Sequence, residues 1–146
     1  MDKKKTWILG LCILGTALFL GIGVFMWKKK TTEGPVRIIC IPKIIDSEND
    51  FWAQLLDGVQ MAAEEYGMEL TVMAPKRETD IEEQIRMIYE AIEQKPDAII
   101  LTPSSYERTA QAVEAVCDSG IPLILLDSDV DTERKISKVS TDNIKA

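Results

Sequence analysis

Val36-Arg37-Ile38-Ile39-Cys40-Ile41, then a polar turn at Asp46-Ser47-Glu48-Asn49-Asp50 running into Phe51-Trp52, is the stretch that decides the fold. The first six residues are nearly all apolar and mostly β-branched, the pattern of a strand buried on both faces. Asn49 or Asp50 can cap the helix that follows. Its apolar positions Phe51, Leu55, Leu56, Val59, Ala63 and Tyr66 repeat at helical spacing, and Gly67 ends it. Adjacent helical residues do not share a face. Phe51 begins the inner stripe and is expected in the core, which leaves Trp52 as the ring presented outward.

The same unit recurs downstream. Leu70 to Ala74 is a second strand closed by Pro75, and Thr79 with Glu82 is spaced as a capping box ahead of Ile81, Ile85, Ile88 and Ile92. Pro96 halts that helix, and Ala98-Ile99-Ile100-Leu101 is a third strand. Ser104 and Glu107 form another capping-box pair, with Val113 and Val116 inside and Gly120 at the end. Ile121-Pro122-Leu123-Ile124-Leu125-Leu126 is the fourth strand. The turn Asp127 to Glu133 leads to a short last strand around Ile136 to Val139. Strand–helix alternation with continuous apolar strands predicts an α/β fold, a three-layer doubly wound parallel sheet with right-handed crossovers. The loops Asp46–Trp52, Ala74–Asp80, Thr102–Tyr106 and Asp127–Asp131 then gather on one rim, the carboxyl end of the sheet, where open α/β sheets bind ligands.

Upstream, Trp7 to Trp27 runs 21 residues without a charge, enough to cross about 30 Å of hydrocarbon at about 1.5 Å per residue. A Trp stands at each end, as at a membrane interface. Lys3, Lys4 and Lys5 precede the span and Lys28, Lys29 and Lys30 follow it. No small-residue cleavage site follows, so the span is expected to be an uncleaved anchor. Residues 1–30 are therefore an anchor, 31–35 a linker and 36–146 a domain; three lysines on each side barely separate the two orientations of this single pass through the cell membrane, and the domain is expected on the extracytoplasmic side. Cys12 sits mid-span behind Leu11, which suits an ordinary apolar residue better than a lipid-modified one.

Residues 1–30 hold six Lys against one acid, a net of +5, while the remaining eleven Lys and Arg meet 23 acids, a net of −12. So acidic a domain is a poor partner for nucleic acid, whose binding rests on phosphate neutralisation. There is no His, which removes the commonest general base. Cys40 and Cys117 have no metal-ligand spacing and read as small buried hydrophobes. No cofactor and no metal is expected. No phosphate-cradling glycine loop occurs, and the third strand ends in Leu101-Thr102-Pro103, without the Asp of a phospho-acceptor domain. Catalysis is not expected. Polar hydrogen-bonding groups beside two flat aromatic surfaces suit a molecule with hydroxyls on its edges and C–H on its faces, which describes a sugar.

Asn49-Asp50-Phe51-Trp52 with Asp57-Gly58, Lys95-Pro96-Asp97-Ala98-Ile99-Ile100-Leu101, Gly120-Ile121-Pro122 running into Leu126-Asp127-Ser128, and Ser140-Thr141-Asp142-Asn143 occur in an informative order. With these, residues 36–146 resemble the first lobe of the bacterial periplasmic sugar-binding proteins of the ribose- and galactose-binding type, shared with the effector domains of LacI-type repressors. The resemblance implies that Asn49 meets sugar hydroxyls, that Phe51 and Trp52 stack on the ring, and that Asp127 binds hydroxyls. Ser128 stands where the family often carries an Arg, which leaves the identity of the sugar open. Asn49 as a bare helix cap stays an alternative, and Thr102, Ser104 and Ser105 are expected to cap the third helix. In that family a second lobe follows; here the sequence stops at Ala146, at the first crossover. The resemblance implies a membrane-anchored receptor feeding an ABC permease or a membrane sensor kinase, the anchor favouring sensing. A ligand-free interaction module, or a fragment, is the alternative. A repressor is excluded, because the apolar span replaces a helix-turn-helix.

Overall fold

The computed structural model describes residues 34–46 and 49–141. The apolar stretch Trp7–Trp27 with Cys12, most of the linker, Ser47, Glu48, Asp142 and Asn143 lie outside the described residues. Among those described, no helix is long and apolar enough to cross a membrane. The fold occupies the second of two units, Pro35–Ala146.

Among the described residues, five strands and three helices follow one another as β1 (Arg37–Ile41), α1 (Asp50–Glu65), β2 (Glu69–Val72), α2 (Ile81–Gln94), β3 (Ala98–Leu101), α3 (Ala110–Ser119), β4 (Leu123–Leu126) and β5 (Ser137–Val139). All pair in parallel in the order β2-β1-β3-β4-β5. The chain steps one way from β1 to β2, then the other way to β3 and β4. Right-handed crossovers therefore put α1 on one face and α2 and α3 on the opposite one. The expected doubly wound sheet is what forms.

Alternation along the strands sorts the core. Ile39 and Ile41, Ile99 and Leu101, and Leu123 and Leu125 face Ile88 and Ala91 of α2 and Ala112, Val113 and Val116 of α3, and all are buried. The other face presents Ile38, Ile100, Ile124 and Leu126 towards α1, around an apolar recess of about 410 Å³. Cys40 is buried, and desolvation pushes its thiol up to about 11. Cys117 is half-buried and also raised, first by burial and then by the charge of Glu114. Both are unpaired thiols, held in their neutral form.

The helix ends follow local chemistry only in part. Gly67, at φ +64, lets α1 stop with two bonds, Gly67 N–H to Glu64 O (3.2 Å) and Met68 N–H to Ala63 O (2.8 Å), the pair that marks a Schellman end. Neither expected capping box forms. Asp80, not Thr79, precedes α2, and its carboxylate accepts from Arg77 instead of capping. Helix α3 begins only at Ala110, after a turn over residues 106–109 at whose start the Ser105 hydroxyl accepts from Arg108 N–H (3.2 Å).

Candidate functional site

The strand order reverses at β1. The crevice of a doubly wound sheet opens there, between the loops leaving β1 and β3 at their carboxyl ends. The loop from β1 enters α1 through Asn49, in extended conformation, whose side-chain oxygen accepts from Phe51 N–H at 3.1 Å. Asn49 is thus the N-cap. The cap uses the oxygen alone.

The two aromatics sit the other way round from the expectation. Trp52 is 5% exposed and Phe51 is 51% exposed. The inner stripe of α1 starts one residue later, at Trp52, and continues through Leu56, Val59 and Ala63. Trp52 can go inside because its one polar atom is satisfied: the indole N–H donates to the Glu78 carboxylate at 2.6 Å. A buried indole carries more apolar area than phenyl once that donor is paired. Phe51 stays at the surface with its ring edge-on to Trp52, centroids 4.9 Å apart at 80°. The contact to Glu78 also ties the loop after β2 to the start of α1.

At the end of β4, Asp127 has φ +66, a region that short polar side chains tolerate better than others. Ser128 N–H donates to Leu126 O (2.8 Å) across it, closing a γ-turn of the rarer positive-φ kind. Asp127 N–H continues the sheet by donating to Val139 O (2.8 Å), and the Ser128 hydroxyl donates to the Asp127 carboxylate at 3.0 Å. Asp127 is exposed and Ser128 half-buried. β1 and β4 are two strand spacings apart, so their carboxyl ends are separated by about 10 Å.

Beyond Asp127 the chain is pinned back to α3. Arg134 donates to Glu114 (2.7 Å) and to Asp118, and the Thr132 hydroxyl donates to Glu114. The Thr132 bond first, then Arg134, holds the Glu114 carboxyl below its usual range. Lys138 donates to Asp129 at 2.7 Å and lowers the Asp129 carboxyl in the same way. Asp131 N–H donates to Tyr106 O at 2.9 Å, joining the loops after β3 and β4. Tyr106 is the second exposed aromatic of this rim, at 56%.

Thr102 and Ser104 cap nothing with their side chains. Among the described residues their hydroxyls, with that of Thr109, are buried without a hydrogen-bond partner. Gln84 was not singled out by the sequence. It is fully buried and bonds to both loops of the crevice. The signal was a polar residue set at i−4 from Ile88, inside an otherwise apolar stripe. Among the described residues, no group of three or more His, Cys, Asp or Glu is placed to hold a metal ion.

Comparison with known proteins fits this architecture. The sequence profile of the periplasmic binding protein domain matches residues 41–146. The ribose import binding protein of Bacillus subtilis is 23% identical over 120 residues, 82% of this chain and 39% of that protein. The crystal structure of a sugar transporter from Clostridium phytofermentans is 46% identical over 75% of this chain and 40% of its own, with a TM-score of 0.71. A carbohydrate transporter solute binding protein from Agrobacterium radiobacter, in complex with D-arabinose, is 28% identical over 78% of this chain and 38% of its own, with a TM-score of 0.70. This chain therefore spans about two fifths of the length of these relatives.

Proposed function

Because this chain belongs to the periplasmic binding protein domain family, matched over residues 41–146, we propose that it is the ligand-facing first lobe of an extracytoplasmic receptor for a small solute, a monosaccharide by the chemistry of its rim. The observation that carries this is that Asn49 and Phe51, where the loop after β1 enters α1, and Asp127, at the end of β4, lie on the same edge of the sheet. The roles follow from chemistry. The Asn49 amide nitrogen, not used by the cap, donates to a hydroxyl oxygen. Asp127 accepts from two hydroxyls with charge-assisted bonds. The exposed Phe51 ring lies against the C–H face of the sugar, and Trp52 supports Phe51 from beneath. Ser128 orients the Asp127 carboxylate.

A small-molecule site buries most of its ligand, so this rim works with a facing surface, a second lobe in the proposed receptor. Trp7–Trp27 acts as an uncleaved single-pass anchor with the domain outside the cytoplasm, next to an ABC permease or a membrane sensor kinase. The chain performs no catalysis in this scheme. The test is a titration of the full 146-residue chain, held in detergent, with D-ribose, D-arabinose and a panel of hexoses, followed on backbone amide resonances. Sugar-dependent shifts confined to residues 43–52 and 127–131 are expected. Shifts with none of the sugars would remove the sugar from the proposal. The apolar recess between α1 and the sheet, lined by Leu55, Val59, Ile124 and Leu126, favours a second reading in that event, an interaction module on the same fold.

A further inference from the structure

At the base of the crevice Thr102 N–H donates to Ile41 O at 3.0 Å, and beyond that bond a third element joins the two loops. Gln84, on α2, is 0% exposed. Its Nε2 donates to Pro42 O at 3.2 Å, in the loop after β1, and to Thr102 O at 3.0 Å, after β3. Its Oε1 accepts from Ser104 N–H at 2.8 Å. Both amide hydrogens and one oxygen lone pair are therefore spent on backbone groups 18 to 42 residues away. The buried hydroxyls of Thr102 and Ser104 contribute nothing to holding the second loop. Pro42 has no N–H with which to tie its own loop. Without Gln84, two carbonyls and one N–H would be buried and unpaired, and they would regain partners by moving towards water. That movement would change the gap between the loops.

We infer that Gln84 is the positioning residue of the ligand rim: from the interior of α2 it fixes the loop after β1, which leads to Asn49 and Phe51, against the loop after β3. It touches no ligand and acts through Pro42, Thr102 and Ser104. The inference rests on the sugar proposal for its consequence in binding, and on the hydrogen bonds for its consequence in loop geometry, so the two are measured apart.

The experiment compares Gln84→Met, similar in length but without amide hydrogen bonding, with Ile88→Ala, a fully buried substitution one turn further along the same helix. Amide hydrogen exchange and titration with D-ribose and D-arabinose are recorded on the full chain in detergent. Ile88→Ala lowers the melting temperature and leaves the loop amides and sugar affinity as they are. Gln84→Met speeds exchange at Ser104 and shifts the amides of residues 43–46 and 102–106. It also weakens whichever sugar binds by about tenfold, as the fraction of molecules with both loops in register falls to about one in ten. Gln84→Glu keeps the acceptor for Ser104 and loses the donors to Pro42 and Thr102, so it protects Ser104 while the loop after β1 still shifts. It carries the same comparison if Gln84→Met does not fold. Equal effects of the Gln84 and Ile88 substitutions on the loops would reduce Gln84 to packing and overturn the inference. Should neither sugar bind the unaltered chain, the sugar proposal falls, and the clamp stands or falls on the exchange rates alone.

Discussion

Replacing Asp127 by Gly should make this protein more stable and less able to bind. The side chain occupies positive φ (+66) inside a γ-turn closed by Ser128 N–H to Leu126 O at 2.8 Å. A residue with a Cβ held in such a region costs about 1–3 kcal/mol, and Asp lies at the low end of that range. Gly removes this cost but gives up about 0.4–1 kcal/mol through the freer unfolded chain. The bond from the Ser128 hydroxyl to the carboxylate is lost as well, a small term at an exposed position. The net gain is at most about 0.5 kcal/mol, or at most about 2–4 °C in Tm for a domain of about 100 residues. Asp127→Ala keeps the Cβ and loses the local polar contacts, so it should melt below the unaltered protein, giving the order Gly, Asp, Ala. Both substitutions remove the carboxylate proposed to bind hydroxyls, and charge-assisted bonds of about 1.5–3 kcal/mol correspond to a loss of about 10- to 150-fold in affinity. Circular-dichroism melts and calorimetric titration with D-ribose and D-arabinose on the same samples read both effects. A glycine variant that melts below the alanine variant would refute the backbone part. An unchanged affinity in both variants would remove Asp127 from the site.

Two further outcomes test what surrounds the site. Trp52→Phe should cost about 2–4 kcal/mol in chemical denaturation, from the lost bond to Glu78 and the space left by the smaller ring, whereas Glu78→Gln, which keeps an acceptor, should cost under about 1 kcal/mol; equal costs would show that the indole N–H does not hold the two loops together. Acid should loosen the segment after β4 first: Glu114 and Asp129 have carboxyls lowered in the fold from ordinary values of 4.5 and 3.8, so their stabilisation is complete above those values and is lost as pH falls through the lower, folded ones. Amide exchange in residues 129–139 that rises below about pH 4, ahead of β1 and β3, is expected, and loss of protection in all strands at one pH would show that these ion pairs do not set the order.

What the sequence determined by itself was everything that repeats. The β-branched runs, the helical stripes and the stops at Gly67, Pro96 and Gly120 each reflect a local preference, and summed over four units they leave only a doubly wound parallel sheet. That the loops leading to Asn49 and Asp127 open on one edge followed from that topology, since parallel strands put alternate loops on the same edge. What the tertiary structure decided lay wherever one residue chose between neighbours of similar chemistry. Trp52 went inside and Phe51 outside because Glu78, 26 residues along, satisfies the indole N–H, a partner no local pattern contains. Thr79 and Ser104 have the spacing of helix caps. At α2 a local contact, Arg77 to the Asp80 carboxylate, and at α3 a long-range one, Ser104 N–H to Gln84 Oε1, took over groups a cap would have used. Gln84 itself was hidden because a polar residue in an apolar stripe is read as an interruption until the backbone atoms of the loops after β1 and β3 are brought around it.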